Sequence, residues 1–303
     1  MEHNYSYQSA LATSERIGWR IDDIIGPEKR LDFSKPFMPE ALAQVRQLDF
    51  LGADEQRMLN QIRAHEYLAM FGMVEEFILP YVVEHARAQL SGDDYRVRAL
   101  LQFAGEEAKH IHLFKRFREQ FEAGFGTACE FIGPAEEIKR FVLSHSPLGA
   151  GIAILHIEWI TLRHYLECVR DNQDLDPQFK SLLKYHWLEE SQHTKLDTLM
   201  IEEIAAAATH AEIDQAIAEY ADIGSFIDKG LKQQAEFDVD SFVLATGRNL
   251  TKMQREQMTA NVLKAMRWTY LGTGMTHPHF LETVESINED GRKQIEAMAP
   301  MFC

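Results

Sequence analysis

Along four long stretches of this chain apolar residues recur every three or four positions, the period of one helix face. The first stretch runs from about residue 54 to 90, with a stripe reading Ile62, His65, Ala69, Gly72, Glu76, Leu79 and Val83. Ser91-Gly92 ends it, and Asp93 is placed to cap the next helix. That helix, about 93–123, carries Leu100, Phe103, Glu107, His110, Phe114, Phe117 and Phe121, and Gly124 and Gly126 close it. So short a turn makes the two helices antiparallel. A longer connection follows, from Phe125 to Ala150, with a short helix beginning at Pro134. The third stretch, about 151–170, shows Leu155, Glu158, Leu162 and Tyr165. Asp176-Pro177 then supplies an N-cap and a proline at the first helical position. The fourth, about 177–207, shows Leu183, His186, Glu190, His193, Asp197 and Met200.

The outer segments are less regular. Pro27, Pro36 and Pro39 break up residues 1 to about 52, which read as short helices wrapped on the main body. Beyond Thr209 the pattern is helical without a second chemical motif, so residues about 210–303 are expected to flank the bundle and shape its pocket or an oligomer contact. The expected architecture is a single all-α domain over 1–303: two helical hairpins joined by one long crossover, the connectivity of ferritin-like four-helix bundles. Its core spans about 54–207, with additional N- and C-terminal helices.

The chemistry lies where these stripes stop being apolar. Glu106-Glu107-Ala108-Lys109-His110 and Glu189-Glu190-Ser191-Gln192-His193 are two copies of Glu-Glu-x-x-His, 83 residues apart. Each is preceded by a lone glutamate, Glu76 or Glu158, through the match of Glu76-Phe77-Ile78 to Glu158-Trp159-Ile160; Glu75 is the alternative to Glu76. Glutamates on stripes otherwise built of Leu, Phe, Ala and Ile do not describe a solvated face. One glutamate from each of two helices, with Glu-x-x-His from each of two others, is the general di-iron or di-manganese carboxylate arrangement. Carboxylates bridge and neutralise two cations, and imidazole supplies a neutral donor suited to iron. Without cations, four buried carboxylates would repel and shift their pKa values upward. His186 breaks the repeat, because its counterpart in the first half is Phe103. It is either a core histidine or a seventh donor.

With Glu, Glu-x-x-His, Glu and His-x-x-x-Glu-x-x-His in place, the chain resembles the p-aminobenzoate N-oxygenase family of ferritin-like di-iron oxygenases over about Leu59 to Leu199. The resemblance implies seven metal ligands: Glu76, Glu107, His110, Glu158, His186, Glu190 and His193. It also implies two iron ions (or manganese), O2, an arylamine or other small-molecule substrate, and an electron donor such as a reductase or ferredoxin. Oxidation of the amine nitrogen is the expected reaction, with a carbon hydroxylase and a ferroxidase or metal-storage protein as alternatives. A ribonucleotide-reductase-small-subunit-like function is disfavoured, because Phe114 stands where that family usually carries its radical tyrosine.

Weaker candidates surround this core. Asp197, one turn beyond His193, could accept the other ring N–H that metal-bound histidines usually donate. His65, Phe103 and Tyr165 are candidates for pocket lining, while His112, His156 and His164 fall off the ligand faces. His277 and His279, near a helix start, could approach the pocket. Pro80 cannot donate to the carbonyl of Glu76, so a kink is expected there.

Composition narrows the class further. With 47 acidic against 31 basic residues the net charge is −16, which disfavours nucleic acid. Three scattered cysteines make no disulfide framework and point to a reducing compartment. The start Met1-Glu2-His3-Asn4 has no signal-peptide pattern, and the apolar run Leu148–Ile157 is too short for a bilayer. A cytoplasmic protein is expected, with no membrane partner and a homodimer the default state.

Overall fold

A computed structural model describes residues 3–303. The chain is helical throughout, with no strand among the described residues. The N-terminal segment contains α1 (Tyr7–Ile17) and the one-turn helices α2 (Ile21–Ile24) and α3 (Glu40–Ala43). Then follow α4 (Ala53–Ala88), α5 (Asp94–Phe125), α6 (Ala135–Leu143), α7 (Pro147–Arg163) and α8 (Pro177–Ala207). The C-terminal part comprises α9 (His210–Thr246), α10 (Lys252–Arg267), the single turn α11 (Thr273–Met275), α12 (Pro278–Ile287) and α13 (Glu289–Met298).

The local signals act where the sequence places them. Asp93 accepts from the Tyr95 amide at 2.9 Å and Asp176 from the Phe179 amide at 2.6 Å, so α5 and α8 each start on a side-chain cap. Gly126 ends α5 in the left-handed conformation, at φ 80°, where a side chain would be strained. Helix α4 runs unbroken through Pro80.

Four helices form the bundle: α4 packs along α5 and α7 along α8, while α4 and α7 hardly touch. Helix α9 lies over the resulting seam, against both α7 and α4. The two seam helices close up at one point, where a Cβ on Gly151 would meet the Tyr81 hydroxyl, which donates to the Pro147 carbonyl. On the opposite side α1 packs on α5 and α8. The N-terminal segment is tied to α4 by Asn60, whose amide accepts from Phe37 and Met38 and donates to the Met38 carbonyl.

This wrapping overrides the stripe expected for α4. Every residue from Leu59 to Phe71 is buried, polar ones included. Arg63 is fully buried, with Glu66 and Asp238 as its carboxylate partners. Further along, Phe71, Glu75, Ile78 and Val82 face inward, whereas Glu76 and Val83 are exposed. The inward face is thus rotated by one residue from the expected one. No described helix is long and apolar enough to cross a membrane.

Candidate metal centre

Midway along the bundle, Glu75 of α4, Glu107 and His110 of α5, Glu158 of α7, and His186, Glu190 and His193 of α8 are all essentially inaccessible to solvent. Their donor atoms form two overlapping groups. One joins Glu75, His110, His186 and Glu190; the other joins Glu107, His110, Glu190 and His193. Glu190 stands in both, with Oε1 2.7 Å from His186 Nε2 and Oε2 2.9 Å from His193 Nδ1. His193 Nδ1 also lies 2.8 Å from Glu107 and 3.9 Å from Glu158. Glu158 therefore stands at the edge of the second group.

Six of the seven expected side chains come together here, and the seventh is corrected. Glu76 points to solvent, and its neighbour Glu75 occupies the place, 3.1 Å from His186 Nε2. The physical reason is the rotated inward face of α4. His186 points into the cluster rather than away from it. Its ring packs edge-on against His110, Phe71 and Phe114, with centroids 4.5, 6.0 and 4.9 Å away.

The histidines of the two repeated motifs are held by each other's helices. His110 of α5 meets Glu189 of α8 at 2.8 Å through Nε2, and His193 of α8 meets Glu106 of α5 at 2.9 Å through Nε2. Both rings therefore aim Nδ1 inward. Glu106 in turn accepts from Gln102, and Glu189 from Lys109, whose ammonium lies over the Trp19 ring. The role expected of Asp197 thus falls to Glu106, and both Asp197 oxygens lack a hydrogen-bond partner. The first glutamate of each Glu-Glu-x-x-His, unassigned in the motif reading, is the outer carboxylate that holds the ring's orientation.

Of the remaining candidates, all but Phe103 lie elsewhere. Phe103 stacks on His193 at 3.9 Å, so it does border the cluster. His65 packs on Phe121 and faces Glu122, and burial pushes its pKa down to about 4. Tyr165 stacks on Trp187, and His277 and His279 pack on Trp159. His156 and His164 are buried and hydrogen-bonded away from the cluster.

The donor set fits a pair of cations. Both Glu107 oxygens, Glu158 Oε1, Glu190 Oε1 and His110 Nδ1 are buried without a hydrogen-bond partner, although charged neighbours crowd them. Burial, and then the nearby Glu75 and Glu190 carboxylates respectively, hold Glu107 and Glu158 far above the usual carboxylate range. Burial works against charge on Glu190 too, but His186 and His193 outweigh it and keep that carboxylate ionised. Burial likewise opposes charge on His186; Glu190 and Glu75 prevail and raise it to about 9. Four carboxylates opposite two divalent ions would remove this frustration.

A pH prediction follows for metal loading. A histidine must lose its proton to ligate, so a proton bound up to about pH 9 competes with the metal. Divalent-metal affinity should climb with pH, by about tenfold per unit for each proton displaced. The sign for the metal-free fold is opposite. A base raised from about 6.5 contributes stability below that pH and loses it toward pH 9. Metal-induced stabilisation should therefore grow between those limits, which thermal melts with and without metal will show.

A cavity of about 300 Å³ occupies the α4–α7 seam under α9. Met73, Val74, Phe77, Ile157 and Ile160 make most of its wall apolar, with Glu137 and Lys229 also among the lining residues. Phe71 lines it on one side and touches His186 edge-on with the other. Phe71 thus borders both the cavity and the cluster.

No protein-family model matches the sequence, and comparison with curated proteins finds no match. Among solved structures, the chain is similar to a variant of R2-like ligand-binding oxidase with an aerobically reconstituted Fe/Fe cofactor. The identity is 16%, the match covers 89% of this chain and 93% of that one, and the TM-score is 0.51. A second similar structure is R2-like ligand-binding oxidase with an aerobically reconstituted Mn/Fe cofactor, at 15% identity, 88% and 92% coverage and TM-score 0.48. The likeness is one of fold: this chain has the all-α, ferritin-like architecture.

Proposed function

We propose that the cluster binds two iron ions through Glu75, Glu107, His110, Glu158, His186, Glu190 and His193, and that the protein is an O2-dependent oxygenase acting on a small apolar molecule. The observation that carries this reading is the buried group of seven donors, five of whose inward atoms make no hydrogen bond although charged neighbours crowd them. The Fe/Fe cofactor of the similar oxidase variant is consistent with it. An aromatic amine is the substrate class favoured, because His186 completes the ligand pattern that resembles arylamine N-oxygenases.

Bound iron would supply the reducing electrons and the site at which O2 is activated. The chain supplies the rest. Glu106 and Glu189 hold the His193 and His110 rings with Nδ1 directed inward. Phe71, Phe103 and Phe114 pack on the imidazoles and exclude water. The seam cavity is large enough to hold one aromatic ring against Phe71. The overall reaction, R–NH2 + O2 + 2 e⁻ + 2 H⁺ → R–NHOH + H2O, requires an external donor such as a ferredoxin or flavin reductase.

Oxygen uptake by the iron-loaded protein with a chemical reductant and a panel of arylamines tests this. The reading expects amine-dependent uptake and a hydroxylamine or nitro product. Uptake indifferent to amine, with iron accumulating as ferric product, would assign a ferroxidase instead. The cavity makes a further prediction. Val74→Trp should fill the seam and raise KM or abolish amine-dependent turnover, with iron content unchanged. Equal kinetics in the variant would move the substrate elsewhere.

A further inference from the structure

Tyr67, Phe71 and Glu75 occupy successive turns on one face of α4. The Tyr67 ring centroid is 4.3 Å from that of Phe71, and Phe71 is 6.0 Å from His186, so an unbroken run of aromatic rings leads from the cluster to a buried phenol. The Tyr67 hydroxyl lies 3.1 Å from His164 Nδ1. Its neighbours determine which atom carries the proton. With its single hydroxyl proton on the shorter contact, to the Thr269 carbonyl at 2.8 Å, Thr273 Oγ1 accepts from His164 Nε2 at 3.2 Å. Nε2 is therefore the protonated nitrogen, and Nδ1 is a free base that receives the Tyr67 O–H.

Two irregular helix segments build this arrangement. His164 opens the π-helical segment His164–Val169, and the π-helical Trp268–Gly272 carries Thr269 and leads into Thr273, which meets the His164 ring. Such bulges are uncommon and concentrate at functional sites. Simple satisfaction of a buried hydroxyl would not need two of them at one hydrogen-bond chain. A second pair, Tyr220 with His156 at 2.8 Å, shares the chemistry but packs against Phe280, away from the cluster, and so provides a control.

We infer that Tyr67 is a redox-active side chain that gives one electron, through Phe71, to the metal pair once O2 has oxidised it, while its phenolic proton passes to His164 Nδ1. The inference rests on the two-metal reading above. The Tyr67 O–H bond breaks, an N–H bond forms on His164, Tyr67 becomes a neutral phenoxyl radical, and the metal pair is reduced by one electron. Oxidised phenol is so strong an acid that a weak base suffices. His164 is such a base, because burial pushes its pKa down to about 3. The imidazolium is therefore disfavoured, and the proton returns when the radical is re-reduced. Tyr67 would discharge oxidising equivalents when the seam cavity holds no substrate.

The test is electron paramagnetic resonance on iron-loaded protein mixed with O2 without amine and frozen at successive times. A radical signal that narrows with ring-deuterated tyrosine is expected. It should vanish in Tyr67→Phe, weaken in His164→Gln and persist in Tyr220→Phe, with iron content equal in all four proteins. A wild-type signal in Tyr67→Phe, or no radical in wild-type protein that holds two irons and consumes O2, overturns the inference and leaves the oxygenase reading standing. Failure to bind a metal pair overturns both. In metal-free protein the ¹⁵N shift of His164 Nδ1 should be that of an unprotonated nitrogen, and a protonated one also overturns the assignment.

Discussion

Glu75→Ala is expected to remove one iron from the loaded protein and abolish O2-dependent turnover, while Glu76→Ala does neither. The two residues are adjacent in sequence, yet one lies 3.1 Å from His186 and the other faces solvent. Losing Glu75 deletes a donor of the group formed with His110, His186 and Glu190. The affinity loss there should exceed the roughly 10–100-fold typical of outer partners. Glu76 has no buried contact to lose, so its removal should leave stability within about 0.5 kcal/mol. In the metal-free Glu75→Ala protein the lost contact to His186 opposes the relieved repulsion on the Glu107 carboxylate, so iron content is the sharper discriminator of the two variants. Iron analysis and thermal melts on the two variants decide the matter. Equal iron content in both would place the fourth glutamate elsewhere.

Glu106→Ala and Glu189→Ala are expected to lower iron affinity by about 10–100-fold each, although neither touches the metal positions. Each removes the acceptor that holds a histidine of the opposite helix, so the ring can rotate and Nδ1 loses its aim. Glu189 also pairs with the Lys109 ammonium, and its loss leaves that cation with only the ring face and carbonyl of Trp19. Glu106 has a neutral partner in Gln102. Of the two, Glu189→Ala should therefore be the more damaging to folding and Glu106→Ala the cleaner test of metal affinity. Asp197→Asn is the contrast: since no hydrogen bond joins Asp197 to His193, iron affinity should stay within a few-fold of wild type. Competition with a chromophoric chelator measures all three.

The fold was legible because its boundaries are written in local chemistry. Asp93 and Asp176-Pro177 cap helices where the sequence places them, and the 83-residue repeat of Glu-Glu-x-x-His fixes two equivalent hairpins. The phase of α4 was not legible from its stripe. Between Leu59 and Phe71 the N-terminal wrap, α9 and the buried Arg63–Glu66–Asp238 cluster leave no solvated face, so polarity ceases to mark the outside. A signal did exist. Glu107 and Glu190, like His110 and His193, are 83 residues apart, and the same offset from Glu158 selects Glu75 rather than Glu76. The outer carboxylates were hidden for a different reason. Along its own helix His193 has Asp197 four residues on, whereas the actual partners come from the facing helix, which only the packing of α5 against α8 reveals. The doubled glutamate in both motifs was their trace in the sequence.

The most direct test of the two-metal centre is anaerobic titration of the metal-free protein with Fe²⁺, followed by rapid mixing with O2 under visible absorbance. The account predicts saturation at two irons per chain, and a coloured species that forms on O2 addition and decays faster when an arylamine is present. Saturation at one iron or none, or a colour whose decay ignores the amine and ends in accumulating ferric product, would contradict it.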